Sequence, residues 1–486
     1  MQILKLARQI SGLSAVITAL VFSGNALAQE TGKIFLEEVI VTATKRASGM
    51  DVQEVPVAVS AYTSSQIDAM FLRDLKGIGY TAPSVQMEDI GTARGVANFS
   101  IRGLGINSSI PSIDPTVGVF VDGMYLGMNA GVVMDIFDLE GIEVLRGPQG
   151  VLFGRNVTGG AVLMRTTRPT DELSINARIA NETGNNMYAS AVVSGPLSDR
   201  IGGKLAVYYN NDDGWFTNQA TGNDFGKADT KMYRGALDFE ITDSMDLIVR
   251  LEHADTNGDG PASQNEGFFG TDNFDFAIDE EGYYDTTWDQ AIAELNWDVG
   301  PGDGQITNIL GWRDYESFTM GDIDASPLFF FHAPASNFQN QLSNELRYAA
   351  SIGNSYLTTG LYYFTQEIQY RENRIIPPSS FDRTGGGDQD TDTIAFFANV
   401  DVEVTDEITF NLGARYSEEK KTGKIGNIPL NGCTVGGGCN FNYEDEQTFN
   451  SLSPKIGVQI TPDDYTHIYA FWTKGYRSGG YNLRHT

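Results

Sequence analysis

From Leu173 onward, apolar and polar residues alternate with a period of two. In "LSINARIA", Leu173, Ile175, Ala177 and Ile179 fall on one face and Ser174, Asn176 and Arg178 on the other, the pattern of a strand whose two faces meet different surroundings. "KLAVYYN", "ALDFEIT", "DLIVRLEH", "SYLTTGLYYFTQEI", "IAFFANVDVEV" and "THIYAFWTK" repeat it, many ending in aromatic residues. The pattern predicts about thirteen strands of about ten to fifteen residues across 170–486. Tight links ("GPLSD", "TDS", "GPGDG", "IGN", "TDE", "TPDD") alternate with long ones over 211–229, 255–285, 317–338, 372–390 and 420–447. Segregation of short turns to one end and long loops to the other is the habit of an outer-membrane β-barrel, and a soluble β-sandwich has no reason to show it.

Residues 47–169 read differently, as a compact α+β domain. "TSSQIDAMFLRDL" starts on a Ser/Thr cap and carries Ile67, Met70, Phe71 and Leu75 at helical spacing. Glycine-broken strands follow in "VGVFVDGMYLG" and "IEVLRGPQGVLFGRNVTGGAVLMRTTRP". Ahead of this domain, "LEEVIVTATKR" (36–46) predicts one short strand with no partner close behind it. Residues 1–28 have the layout of a signal peptide: Lys5 and Arg8, an apolar run from Gly12 to Phe22, and "ALA" at Ala26–Ala28. No later segment reaches the roughly 18 apolar residues of a membrane helix.

Charge narrows the partners. With 63 acids against 33 bases, the formal net charge is -30, which argues against nucleic acid, whose phosphates call for clustered Lys and Arg. Cys433 and Cys439 in "CTVGGGC" suit a small disulfide in an exported chain, with a metal pair as the competing reading.

Taken in order, "EEVIVTATKR", "NFSIRGLG", "VGVFVDGMYLG" and "IEVLRGPQGVLFGRNVTGGAVLMRTT" resemble the signatures of TonB-dependent outer-membrane receptors of Gram-negative bacteria. The resemblance implies a transmembrane antiparallel β-barrel with an N-terminal α+β plug. It divides the chain into a signal peptide (1–28), a periplasmic segment with the TonB box (29–46), a plug (47–169) and the N-terminal part of a barrel (170–486). Plugged transporters close with about 22 strands; thirteen leave the barrel about nine short, and the sequence reads as a C-terminally truncated piece. The resemblance implies contact with TonB through Glu38, Val39, Ile40, Val41, Thr42, Ala43 and Thr44, by β-augmentation. It also makes Arg102, Glu143 and Arg146 candidates for locking the plug to acidic wall residues.

The implied activity is import of a scarce nutrient into the periplasm, driven by proton-motive force through TonB, with a ferric siderophore as the leading ligand. Importers of haem, cobalamin, saccharides or small aromatics share the architecture, and a passive outer-membrane porin is the rival from another class. Outer-membrane lipid and TonB are the implied partners. Phe268, Phe269, Tyr283 and Tyr284, in an acidic loop without Lys or Arg, are the ligand candidates, favouring an apolar or cation-bearing ligand.

No nucleophile, base and orienter occur together, so no catalytic residue and no cofactor is read, nor any metal site. "DTNGDGPASQNE" places Asp255, Asn257, Asp259, Gly260 and Glu266 at calcium-loop spacing, but without helical flanks; an acidic solvated loop is the other reading. His332 in "FHAP" invites comparison with a haem ligand, although "GYRSGGYN" departs from the haem-receptor pattern.

Overall fold

A computed structural model describes residues 39–484, apart from 92, 134, 271, 301–302, 378–382, 431–438 and 464. The expected signal peptide, Glu38 and Cys433 lie outside the described residues. No helix among the described residues is long and apolar enough to cross a membrane.

The N-terminal domain contributes ten strands: β1 (Ile40–Val41), β2 (Met50–Asp51), β3 (Ala58–Thr63), β4 (Val85–Ile90), β5 (Ala93–Ile101), β6 (Leu104–Gly105), β7 (Val117–Val121), β8 (Met124–Tyr125), β9 (Leu139–Arg146) and β10 (Gly160–Thr166). Its central sheet runs β3-β9-β10-β7-β8, with β10 parallel to β7 and antiparallel to β9. The apolar runs of β7 and β10, and β9 from Gly141 to Leu145 with Glu143 in its middle, are buried on both faces, as a sheet covered on both sides requires.

The predicted helix is cut short. α1 (Ser64–Ala69) opens with Thr63 and Gln66 in a reciprocal capping box. It stops at Met70, because Phe71 turns left-handed at φ 53° and leaves its ring exposed. The apolar face expected to run on to Leu75 is divided, and Leu75 is buried at the head of α2 (Lys76–Gly79) instead.

Thirteen strands form one antiparallel wall: β11 (Ser174–Glu182), β12 (Asn186–Ser198), β13 (Ile201–Asp212), β16 (Ala228–Thr242), β17 (Met245–Gly258), β18 (Tyr283–Val299), β19 (Gly304–Met320), β20 (Ala335–Ile352), β21 (Ser355–Arg374), β22 (Arg383–Thr405), β23 (Ile408–Gly426), β24 (Tyr443–Asp463) and β25 (Thr466–Thr473). The hairpin β14 (Phe216–Thr217) and β15 (Asp224–Phe225) and the helix α3 (Glu266–Phe269) sit in long connections. Strands β11 and β25 are the two edges and do not pair with each other. Several strands outrun the predicted length, β22 reaching 23 residues, so the connections expected at 372–390 and 420–447 are in part paired ribbon.

The wall inverts the usual distribution of side chains. On β22, Gln389, Thr391, Thr393, Asn399 and Asp401 are buried, while Ile394 is 63% and Phe396 54% exposed. Outward positions are apolar from Ile394 to Val402 and acidic at Asp390 and Asp392. A band of this kind has the length of a strand crossing hydrocarbon, about 9–11 residues. The buried polar face packs against the N-terminal domain, and wall residues Ile292, Ile309 and Phe364 complete its apolar clusters.

Candidate functional site

The segment expected to stand alone is already paired. Ile40 and Val41 lie opposite Asp51 and Met50, and a turn closed by the Lys45 N–H donating to the Thr42 carbonyl at 2.8 Å makes the return. Val41 and Ala43 are buried, and Val39 packs beside them. The expectation of a strand without a partner is therefore corrected. Two short strands are marginal alone, but here they rest on a core that takes up their apolar side chains.

Glu143 holds the same segment. Its Oε1 accepts the Thr42 N–H at 2.8 Å and the Thr42 hydroxyl at 2.9 Å. Burial raises the carboxyl's pKa, against the lowering effect of these bonds and of Arg165. Glu143 acts within the domain rather than on the wall. Arg146 likewise reaches the Pro83 and Val59 carbonyls at 3.4 Å. Arg102 is exposed at φ 53° and has no ion pair among the described residues. Of the three residues expected to tie plug to wall, none has a wall partner among the described residues.

Other charges make that junction. Beside the segment, Lys45 meets Glu345 of β20 at 2.6 Å and Arg46 meets Asp401 of β22 at 2.5 Å. Burial pulls the Lys45 ammonium down to about 8, despite the opposing attraction of Glu345. Further along the wall, Arg155 pairs with Glu419 at 2.8 Å, and Asp114 with Lys421 at 2.5 Å, all four buried. Burial would lower the Arg155 pKa and raise that of Asp114, but the opposite charges outweigh it and hold both ionised. Asp138 meets Lys204 at 2.6 Å. The only sequence signal for these wall partners was their place on the inward face of alternating strands, as with Glu419 and Lys421.

Neutral contacts complete the seat. The Gln341 side chain donates to the Tyr125 carbonyl at 2.7 Å and accepts from the Gly127 N–H at 2.9 Å. Arg313 donates to the Gly131 carbonyl at 2.8 Å. Gly131 sits at φ 65°, and a Cβ there would run into Tyr315, so the domain's backbone approaches the wall where only glycine fits.

The hairpin and its ion pairs lie at the short-turn end of the wall: the Ala47 N–H donates to the Tyr356 hydroxyl, one residue into β21. At the long-connection end, a cavity of about 260 Å³ opens between domain and wall. Arg94, Tyr315, Tyr370, Glu372, Arg374 and Arg484 line it. Glu372 pairs with both Arg374 and Arg484 at 2.6 Å. Arg94 stacks 5.0 Å from the Tyr284 ring and has no ion pair among the described residues.

The four aromatic ligand candidates are not brought together. Tyr284 is buried beside Arg94, whereas its neighbour Tyr283 points outward, as alternation along β18 requires. Phe268 is exposed on α3, its ring 6.5 Å from Phe269. The calcium-loop spacing does not give a calcium loop: Asp255 and Asn257 lie on extended β17, paired with β16 and β18, and Asp259 accepts from the Gly226 and Lys227 N–H groups. Cys439 is disulfide-bonded. His332 is buried, with Nε2 3.0 Å from Asp279 Oδ1, and is not among the residues lining the cavity.

Comparison with known proteins agrees with this architecture. A family model of the TonB-dependent receptor plug domain matches residues 51–161, and one of the TonB-dependent receptor-like β-barrel matches 173–485. The pesticin receptor of Yersinia pestis is 23% identical over 468 residues, 91% of this chain and 64% of its own length. The ferrioxamine B receptor of Salmonella typhimurium is 29% identical over 256 residues, 48% of this chain and 34% of its own length. A crystal structure of the ferric yersiniabactin uptake receptor from Yersinia pestis superposes with a TM-score of 0.77 at 19% identity, covering 89% of this chain and 66% of that one. The ferripyoverdine receptor of Pseudomonas aeruginosa bound to ferripyoverdine gives 0.70 at 15% identity, over 90% of this chain and 59% of that one. The chain thus spans less than two thirds of the length of these relatives. With both its plug and its barrel region matched, the chain belongs to the TonB-dependent receptor family.

Proposed function

We propose that the protein acts in an outer membrane as a receptor that captures a ferric siderophore and passes it to the periplasm with energy delivered by TonB. The apolar outward band of the wall suits lipid, and the polar inner face suits an enclosed plug. The hairpin at the short-turn end supplies the handle, with Val39 to Thr44 as the contact for a TonB strand.

One observation carries the choice of ligand: the cavity at the long-connection end presents Arg94, stacked on Tyr284 and without an ion pair among the described residues, beside the Tyr370 hydroxyl and the Glu372-paired Arg374 and Arg484 guanidiniums. Planar guanidiniums and aromatic rings suit an oxygen-rich, anionic metal chelate. That differs from the apolar or cationic ligand suggested by the acidic loop, because the cavity draws its charge from the plug and from residues far along the chain.

The test is uptake of labelled iron from a panel of ferric chelates by a deletion strain with and without the gene. Gene-dependent uptake of at least one chelate, abolished when TonB is absent, is the expected result. Uptake and iron-limited growth identical in the two strains for every chelate would overturn the assignment.

A further inference from the structure

Outside the cavity, three side chains from two separate connections converge. Asp279 comes from the connection between β17 and β18; Asp322 and His332 come from that between β19 and β20. One donor atom from each lies within 4.8 Å of the other two. Asp322 is 1% and His332 5% exposed, while Asp279 opens to solvent.

The backbone holds this cluster firmly. His332 exchanges backbone hydrogen bonds with Ile375 at 3.1 and 2.9 Å, and the Asp279 N–H donates to the Ser326 carbonyl at 3.2 Å. Phe329 stacks on the imidazole at 4.4 Å and fixes the ring plane. The neighbouring acid Asp324 is already occupied, accepting from the Ser326 hydroxyl and the Phe331 N–H. Asp322 is different: its Oδ1 accepts the Ala325 N–H at 2.8 Å, but its Oδ2 is buried without a hydrogen-bond partner. A buried carboxylate oxygen left unmatched beside a second carboxylate is costly, and a cation between them removes both penalties.

We propose that Asp279, Asp322 and His332 form a binding site for a divalent first-row transition cation of the zinc type. The donors are one imidazole nitrogen and two carboxylate oxygens, a borderline set that suits zinc better than calcium or magnesium, which take oxygen ligands alone. Ligands about 2.1 Å from zinc on a tetrahedron lie about 3.4 Å apart; the donors, 3.0 Å apart at His332 Nε2 and Asp279 Oδ1 and within 4.8 Å throughout, reach that spacing by rotation of the solvent-facing Asp279 side chain. The fourth position, on the Asp279 side, is left for water. Ile323, Phe331 and Ala333, next in sequence to Asp322 and His332, line the cavity. The cation therefore ties the connections over 259–282 and 321–334 together at the cavity mouth, a role separate from iron transport.

The test is zinc binding by the chelator-stripped full chain in detergent, followed by calorimetry and by competition with a chromogenic chelator. One zinc per chain at micromolar affinity or tighter is expected, weakened at least 100-fold in His332→Ala and in Asp279→Ala. Asp279→Ala lies at the exposed end of the site, so it keeps the test valid if the buried variant fails to fold. His253→Ala should bind like the parent, because its pairing with Asp289 lies on the exposed surface. Failure of the parent to bind, or stoichiometric zinc retained by both site variants, would overturn the site and leave a hydrogen-bonded His–Asp cluster. Neither result bears on siderophore uptake, so the two readings fail independently.

Discussion

Glu143 accepts both the backbone N–H and the hydroxyl of Thr42, so one carboxylate from the central sheet holds the segment through which TonB would pull. Pairing of that segment with another protein's strand needs a free edge, and on the proposed function the Thr42 bonds would have to open first.

Substituting Glu143 with Ala should release the hairpin. Hydrogen bonds to a charged group are worth about 1.5–3 kcal/mol, so local opening of residues 39–52 should rise roughly 10- to 100-fold. Amide hydrogen exchange checks this directly; unchanged protection at Val41 and Thr42 would rule the latch out.

Lys45 gives the junction a pH dependence. Its folded pKa of about 8 lies below the 10.5 of a free lysine, so between these values the unfolded chain holds more protons than the folded one, and stability rises with pH through that window. The Lys45–Glu345 ion pair itself is present below about pH 8 and lost above it. Denaturant unfolding of the parent and Lys45→Met from pH 7.5 to 10 should show the stability difference moving in the parent's favour as pH rises; parallel curves would contradict it.

The Arg155, Glu419, Asp114 and Lys421 network should resist single changes poorly. Removing one partner of a buried pair leaves an uncompensated charge at a cost of about 3–5 kcal/mol, whereas replacing both is often close to neutral. Arg155→Met and Glu419→Leu should each loosen the plug, seen as increased sensitivity to large antibiotics, and the double variant should recover most of the loss. Additive damage would show that the two residues act separately.

Gly131→Ala tests the close approach. A methyl group at φ 65° against Tyr315 and Arg313 is strained in conformation and in contact, an overpacking cost of about 1–3 kcal/mol. A lowered thermal midpoint is expected, and a larger drop than for Gly353→Ala, which shares the left-handed backbone at φ 63° but whose Cβ meets no atom within 4 Å.

Much of the architecture was legible before any coordinates. Period-two patterning located the wall strands because hydrogen bonding forces side chains to alternate whatever surrounds them. Short and long connections gave the two ends. The sites were less legible. Arg102, Glu143 and Arg146 stood out for their place among turn glycines, yet motif position says nothing of which side of the domain faces the wall. Asp279 and His332 are 53 residues apart in sequence, and no local pattern joins them.

Local periodicity alone was enough to class each segment: an α+β domain followed by strands with one polar and one apolar face. Which groups meet was settled by the packed fold. It paired the apparently solitary strand at Ile40 with Met50–Asp51, set Lys45 on Glu345 and Arg155 on Glu419, and brought Asp322 to His332. Those contacts depend on the register of the wall strands and the seating of the domain within them. They are settled by burial and charge pairing across the chain, not by any residue's neighbours in sequence.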